Sequence, residues 1–270
     1  MQATIVALYG DKPEHLHTFL TDCQDSVTQV LGSRFRKYDI DQIHATVVGL
    51  EREALHSNCF LNRNFKTHRQ EQVQMELAGL LNFFREGGHV PFQLQIGGFA
   101  DRDYPFSSRD TRPFNRGFSI QGGNVVVMGW PVCSRAPQDA PSSSIASIHE
   151  ARLYPNTLDS IRRGAQRYGV LHSYHKKPAD TDNDFFFRIG MIDAPESVEP
   201  LLKSRVQAAM RSFLGSLRPL TLSIKLSDLQ IVFYESEELP LDTSVAYSLD
   251  TEDLDGAFMQ GMYRGNKNAQ

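Results

Sequence analysis

The chain has 270 residues, 40% apolar and 22% charged, an ordinary globular balance for one large domain or two small ones. Lys and Arg number 28 against 32 Asp and Glu, a formal charge of −4, which excludes a global basic field for duplex DNA and leaves only a local basic groove open. Cys23, Cys59 and Cys133 are odd in number and far apart, with no CxxC or His/Cys cluster, so no zinc site is expected and a reducing compartment fits.

Residues 1–9 lack a positive n-region, and their apolar run is too short for a signal peptide or a membrane span. The expectation is a cytoplasmic protein with no membrane partner. Residues 3–9 read as a first strand, broken by Gly10-Asp11-Lys12-Pro13, with Pro13 placed to open a helix. Leu16, Phe19, Leu20, Cys23, Val27, Val30 and Leu31 follow helical spacing up to Gly32. The run Ile43-His44-Ala45-Thr46-Val47-Val48-Gly49-Leu50 reads as a buried strand. Residues 51–67 are irregular. A second amphipathic helix over Val73, Leu77, Leu80, Leu81 and Phe84 stops at Gly87-Gly88. The alternation from Pro91 to Gly97 makes a strand. Residues 100–117 read as a loop, and 118–120 with 125–130 as a hairpin around Gly122-Gly123-Asn124.

Residues 131–147, with Pro131, Pro137, Pro141 and a Ser142-Ser143-Ser144 run, read as an exposed insertion. The same αβ rhythm then resumes. A short helix carries Leu158, Ile161, Ala165 and Tyr168; a loop holds His172 and His175; an apolar strand covers 185–192. A regular helix from Val198 to Phe213 and strands around Leu222–Leu226 and Leu229–Phe233 follow. The pattern predicts a single domain over 1–250 and a fraying C-terminal tail over 251–270.

Chemistry concentrates at His44 and Thr46. Side chains alternate along a strand, so the two share a face, and each is costly to bury without a partner. An imidazole moves a proton near neutral pH, and a hydroxyl donates to an anionic oxygen. The plain alternative is a satisfied half-buried His beside an ordinary strand Thr. Phe99, Tyr104 and Phe106 could stack a base, or simply cover a core under the long loop.

Four stretches together resemble the two-histidine (2H) phosphoesterase superfamily, which includes the 2′-5′ RNA ligase-like cyclic phosphodiesterases. These are Ala3 to Leu20, His44-Ala45-Thr46-Val47, Pro91-Phe92-Gln93-Leu94-Gln95-Ile96-Gly97-Gly98-Phe99, and Leu229-Gln230-Ile231-Val232-Phe233-Tyr234-Glu235-Ser236. The resemblance implies an α+β fold of two pseudo-symmetric lobes of antiparallel sheet, with outer helices around a central cleft and one His-x-Thr motif per lobe. It also implies a phosphodiester substrate, a cyclic phosphate or a 2′-linked ester of a nucleotide or RNA, handled without metal or cofactor. His44 would be the general acid/base, with Thr46 beside it.

The chain departs from that pattern on its second strand. Aligned through Ile189-Gly190, the His position holds Phe186 and the Thr position Arg188. Phe186 cannot transfer a proton. Arg188 can hold a phosphate through its guanidinium fork, or be a surface Arg at a sheet edge. Strand parity sets His44, Thr46 and Val48 on one face and Phe186, Arg188 and Gly190 on one face, confronting each other across the cleft. His172 and His175, as loop histidines, are expected to be mostly solvated, with a substitute acid among them as the alternative. A degenerate module that binds a nucleotide or RNA phosphate without turnover is the competing reading.

Overall fold

The computed structural model describes residues 1–53, 60–133 and 153–264. All strand pairings run antiparallel in one ten-stranded sheet. Its strands are β1 (Gln2–Ala7), β2 (Phe35–Lys37), β3 (Ala45–Gly49), β4 (Phe92–Ile96), β5 (Phe118–Gln121), β6 (Asn124–Val132), β7 (Phe185–Ile192), β8 (Leu220–Ile224), β9 (Leu229–Tyr234) and β10 (Val245–Ser248). The spatial order is β10-β9-β1-β3-β7-β6-β4-β8, with β2 added on β7 and β5 on β6. The helices are α1 (Glu14–Leu31), α2 (Leu77–Glu86), α3 (Pro113–Arg116), α4 (Thr157–Ala165), α5 (Pro200–Ser216) and α6 (Gly256–Tyr263). The mixed helix and antiparallel-sheet architecture agrees with the α+β expectation.

The strand period divides the molecule. Ala3, Ile5 and Ala7 of β1, Val125 and Val127 of β6, and Phe185, Phe187 and Ile189 of β7 enter one large core, completed by α1, α2, α4, α5 and α6. Their alternate neighbours turn the other way. Val6 joins Tyr9, Val232, Tyr234 and Leu239 in a small cluster. Val126, Met128 and Trp130 join Phe99 in another, with Tyr104, Phe106, Tyr154 and Phe186 against it. A sheet with a packed face and a partly open face can carry a site on the open one.

Two breaks in this period fall on the strands that matter. Along β1–β3 the register slips between Ile5↔Val48 and Val6↔Thr46, so Val47 is an extra residue on β3. Along β6–β7 it slips between Val125↔Gly190 and Val126↔Arg188, so Ile189 is an extra residue on β7. A bulge shifts side-chain parity by one. The expected faces are therefore shorter: Val48 lies in the core, and at Gly190 a side chain would run into the Arg36 carbonyl and the Phe35 ring.

Three boundaries differ from the sequence reading. β6 runs through Pro131 and Val132, so the expected insertion begins later; its remainder, 134–147, lies outside the described residues. The short strand β2 was hidden in a polar stretch of Phe35-Arg36-Lys37. The expected tail is a correction too, since residues 256–263 form α6. Asp255 caps this helix by accepting from the Phe258 N–H, and Met259, Met262 and Tyr263 are buried. The Tyr263 hydroxyl donates to the Leu50 carbonyl at 2.6 Å, tying the helix to the end of β3.

Candidate functional site

On the open face, between the two small apolar clusters, lies a cavity of ≈ 340 Å³. His44, Thr46, Phe186 and Arg188 all line it. The pairing Ala45↔Phe187 explains why. Those two residues point into the core, so Thr46 with Phe186, and His44 with Arg188, are cross-strand neighbours on the opposite face. The residues expected to confront each other across a gap are neighbours on adjacent strands of one sheet. Parity was right at these positions, and the partner strand was unforeseen. His44 itself leads into β3, one residue ahead of its first member.

The backbone beneath the cavity is held by side chains rather than by the ladder. Arg162 of α4, only 2% exposed, donates from Nε to the Val47 carbonyl at 2.8 Å and from Nη2 to the Thr46 carbonyl at 2.9 Å. On the other bulge, Gln24 of α1 donates to the Ile189 carbonyl at 2.9 Å and the Tyr38 carbonyl at 2.7 Å, while the Tyr38 N–H also donates to Ile189 at 3.2 Å. Each bulge frees a carbonyl, and each freed carbonyl receives a buried donor.

His44 Nδ1 lies 2.8 Å from the Gln42 carbonyl, which can only accept, so the ring carries its proton there and Nε2 keeps its lone pair. Burial lowers the His44 pKa to about 4; the Gln42 hydrogen bond opposes this, and the Arg188 and Lys12 charges add to it. His44 is thus neutral at physiological pH, a proton acceptor. Among the described residues Arg188 makes no ion pair with a carboxylate. A guanidinium with no ion-pair partner beside a hydroxyl can take an anion, in a cavity that Glu51, Asp182, Asp184, Glu237 and Glu238 also line.

His172 and His175 are a correction. Expected to be mostly solvated, they are 4% and 1% exposed and pinned to carboxylates. His172 Nε2 sits 3.0 Å from Asp182 Oδ2 and His175 Nε2 2.9 Å from Asp159 Oδ1. Arg162 donates to Asp182 Oδ2 at 2.7 Å. Burial would raise the Asp182 pKa, but Arg162, His172 and Arg109 hold it well below the usual carboxylate range. Burial, then Arg162, lowers the His172 pKa to about 3, so its ring is neutral with an unpartnered Nδ1. His172 lines the same cavity.

No family model matches the chain, and no curated protein does. Among solved structures it is similar to TT0787 of Thermus thermophilus, at 12% identity and a TM-score of 0.34, over 93% of this chain and 96% of that one.

The other candidates resolve simply. Phe99 packs edge-on against Trp130 with ring centroids 5.0 Å apart, and Tyr104 and Phe106 pack around Phe99. They cover a small core beneath the loop, as the plainer reading had it. Asp184, which the sequence reading missed with Asp182 and Arg162, accepts from Trp130 Nε1 at 2.8 Å, Ser108 Oγ at 2.7 Å and Arg116 at 2.9 Å. Those bonds commit it to holding the loop. Among the described residues no group of His, Cys, Asp and Glu could hold a metal ion, and no helix is long and apolar enough to cross a membrane.

Proposed function

We propose that the chain is a phosphodiesterase-like protein of the 2H type, acting on a cyclic phosphate or a 2′-linked phosphodiester of a nucleotide or RNA. The observation that carries this reading is the grouping of a neutral imidazole, a hydroxyl and a guanidinium without an ion-pair partner on one face of two neighbouring strands. His44 Nε2 takes the proton of the attacking water or hydroxyl as the new P–O bond forms. Thr46 and Arg188 hold the non-bridging oxygens, where charge builds as phosphorus expands. The two-lobed 2H arrangement and a cytoplasmic location belong to the same proposal.

One observation favours a second reading. Phe186 packs on an aromatic cluster, so the strand that would offer a second imidazole offers a hydrocarbon. A chain so altered could bind phosphate and not turn it over. The test is hydrolysis of nucleoside 2′,3′-cyclic phosphates and a short 2′-5′-linked oligoribonucleotide by wild type and His44→Ala. The enzymatic reading expects turnover that falls by about 10²–10⁴ in the variant, with binding little changed. Binding without turnover in wild type establishes the second reading instead.

A further inference from the structure

Cleaving an alkyl phosphate ester requires a proton for the departing alkoxide as well as a base for the nucleophile. His44 supplies only the base. Phe186 carries no proton. His172 is neutral, and its one N–H faces Asp182. The cavity is also lined by the phenols of Tyr38, Tyr174 and Tyr234. Tyr234 donates to Glu51 Oε1 at 3.1 Å and is committed. Tyr174 stands at the rim, 39% exposed, under the Arg109 guanidinium at 3.6 Å.

Tyr38 differs from both. It is 4% exposed, and its enclosed hydroxyl lies against the Arg188 guanidinium, which can donate to its oxygen, with no acceptor for its own proton. A buried hydroxyl proton with no acceptor is costly, and such a gap calls for a reason. Its charged neighbours are Arg188 on β7, Arg36 on β2 and Glu238, the last already paired with Arg36 at 3.2 Å. Arg188, the cation against the phenol, has only donors to offer. None of these groups takes the Tyr38 proton, so an oxygen that draws the Arg188 guanidinium off the phenol and takes its place would be its acceptor. Tyr38 is also fixed in place, its N–H and carbonyl both engaged at the β7 bulge.

We infer that Tyr38 is the general acid of this cavity, giving its hydroxyl proton to the oxygen that leaves phosphorus while His44 takes the proton of the attacking water. This inference rests on the phosphodiesterase reading. The step balances. A P–O bond forms to water and a P–O bond to the leaving oxygen breaks; His44 gains one proton, and Tyr38 loses one to the leaving group. Solvent then carries a proton from the imidazolium to the phenolate. Burial raises the Tyr38 pKa, with Arg188 opposing, while His44 is lowered, and two groups driven apart in this way divide acid and base roles between them.

The test compares leaving groups. Wild type, Tyr38→Phe and His44→Ala are assayed on a nucleoside 2′,3′-cyclic phosphate, which expels an alkoxide, and on bis(p-nitrophenyl) phosphate, which expels a stable phenolate needing no proton. Tyr38→Phe should lose about 10²–10⁴ in kcat on the cyclic phosphate with little change in KM, and keep its rate on the aryl ester. His44→Ala should lose both.

Equal loss on both esters, loss on neither, or a wild type active on the aryl ester alone would each overturn the acid role while leaving His44 as base. A wild type active on neither ester overturns the acid role, and one inactive on the 2′-5′-linked oligoribonucleotide as well overturns the phosphodiesterase reading with it.

Discussion

At the scale of single residues, the cavity is defined by what each group does not have. Arg188 has no carboxylate partner, and Thr46 offers a neutral hydroxyl. A charged hydrogen bond contributes about 1.5–3 kcal/mol and a neutral one about 1. Arg188→Ala should therefore weaken binding of inorganic phosphate roughly ten- to a hundredfold, and Thr46→Ala only about fivefold, by titration calorimetry; equal losses would remove the guanidinium from the site. The histidines predict an acid response. His44 and His172 have pKa values of about 4 and about 3, below the ordinary 6.5, so the unfolded chain binds protons that the folded chain refuses. Their stabilising effect is complete above about pH 6.5 and is lost as pH falls toward 4 and then 3. The urea midpoint should fall across that window, and less steeply in His172→Gln; a flat midpoint would contradict their being held as neutral rings. Of these residues, strand parity in the sequence named His44, Thr46, Phe186 and Arg188. It could not name Tyr38 or His172, whose positions depend on a turn and a loop that no side-chain period describes.

At the scale of elements, α4 and the strands it supports share one guanidinium. Arg162 joins β3 to the segment leading into β7 through the Val47, Thr46 and Asp184 carbonyls and both the carbonyl and carboxylate of Asp182. Removing one member of a buried pair leaves the other charge stranded, at a cost of about 3–5 kcal/mol. Arg162→Ala should lower unfolding free energy by that amount in denaturant titrations, and Arg162→Lys should restore little, because an ammonium cannot replace a planar fork that serves several acceptors. Full rescue by lysine would mean that charge alone matters. The apolar spacing of α4 was readable in Leu158, Ile161 and Ala165, and Arg162, four residues after Leu158 and three before Ala165, falls on that same face, but the spacing does not say what a guanidinium there would meet. Its acceptors lie over a hundred residues upstream and some twenty downstream, a separation that periodicity does not bridge. The acidic run before α6 masked that helix similarly, although Asp255 followed by Phe258, Met259 and Met262 is a cap and an apolar stripe.

At the scale of the whole molecule, one sheet with helices packed on its closed face sets the reactivity expected of its thiols. Cys23 lies in the core on α1, where burial pushes its pKa up, and Cys133 is exposed just past β6. A thiol-specific reagent should modify Cys133 promptly in the native protein and Cys23 only on unfolding, since the thiolate is the reacting form; unreduced, denatured protein should titrate three thiols, matching the three cysteines of the chain. Prompt modification of Cys23 would show that the helical layer is open.

The same sheet is joined across its middle by very little backbone. Between β3 and β7 the register holds a single pair, Ala45↔Phe187, whereas β6 and β7 pair from Asn124↔Met191 to Gly129↔Phe185. The proposed anion would touch His44 and Thr46 on one side of that narrow join and Arg188 on the other. An occupant would therefore act as a rivet between two plates, and by mass action the molecule's rigidity would follow the ambient concentration of whatever it binds.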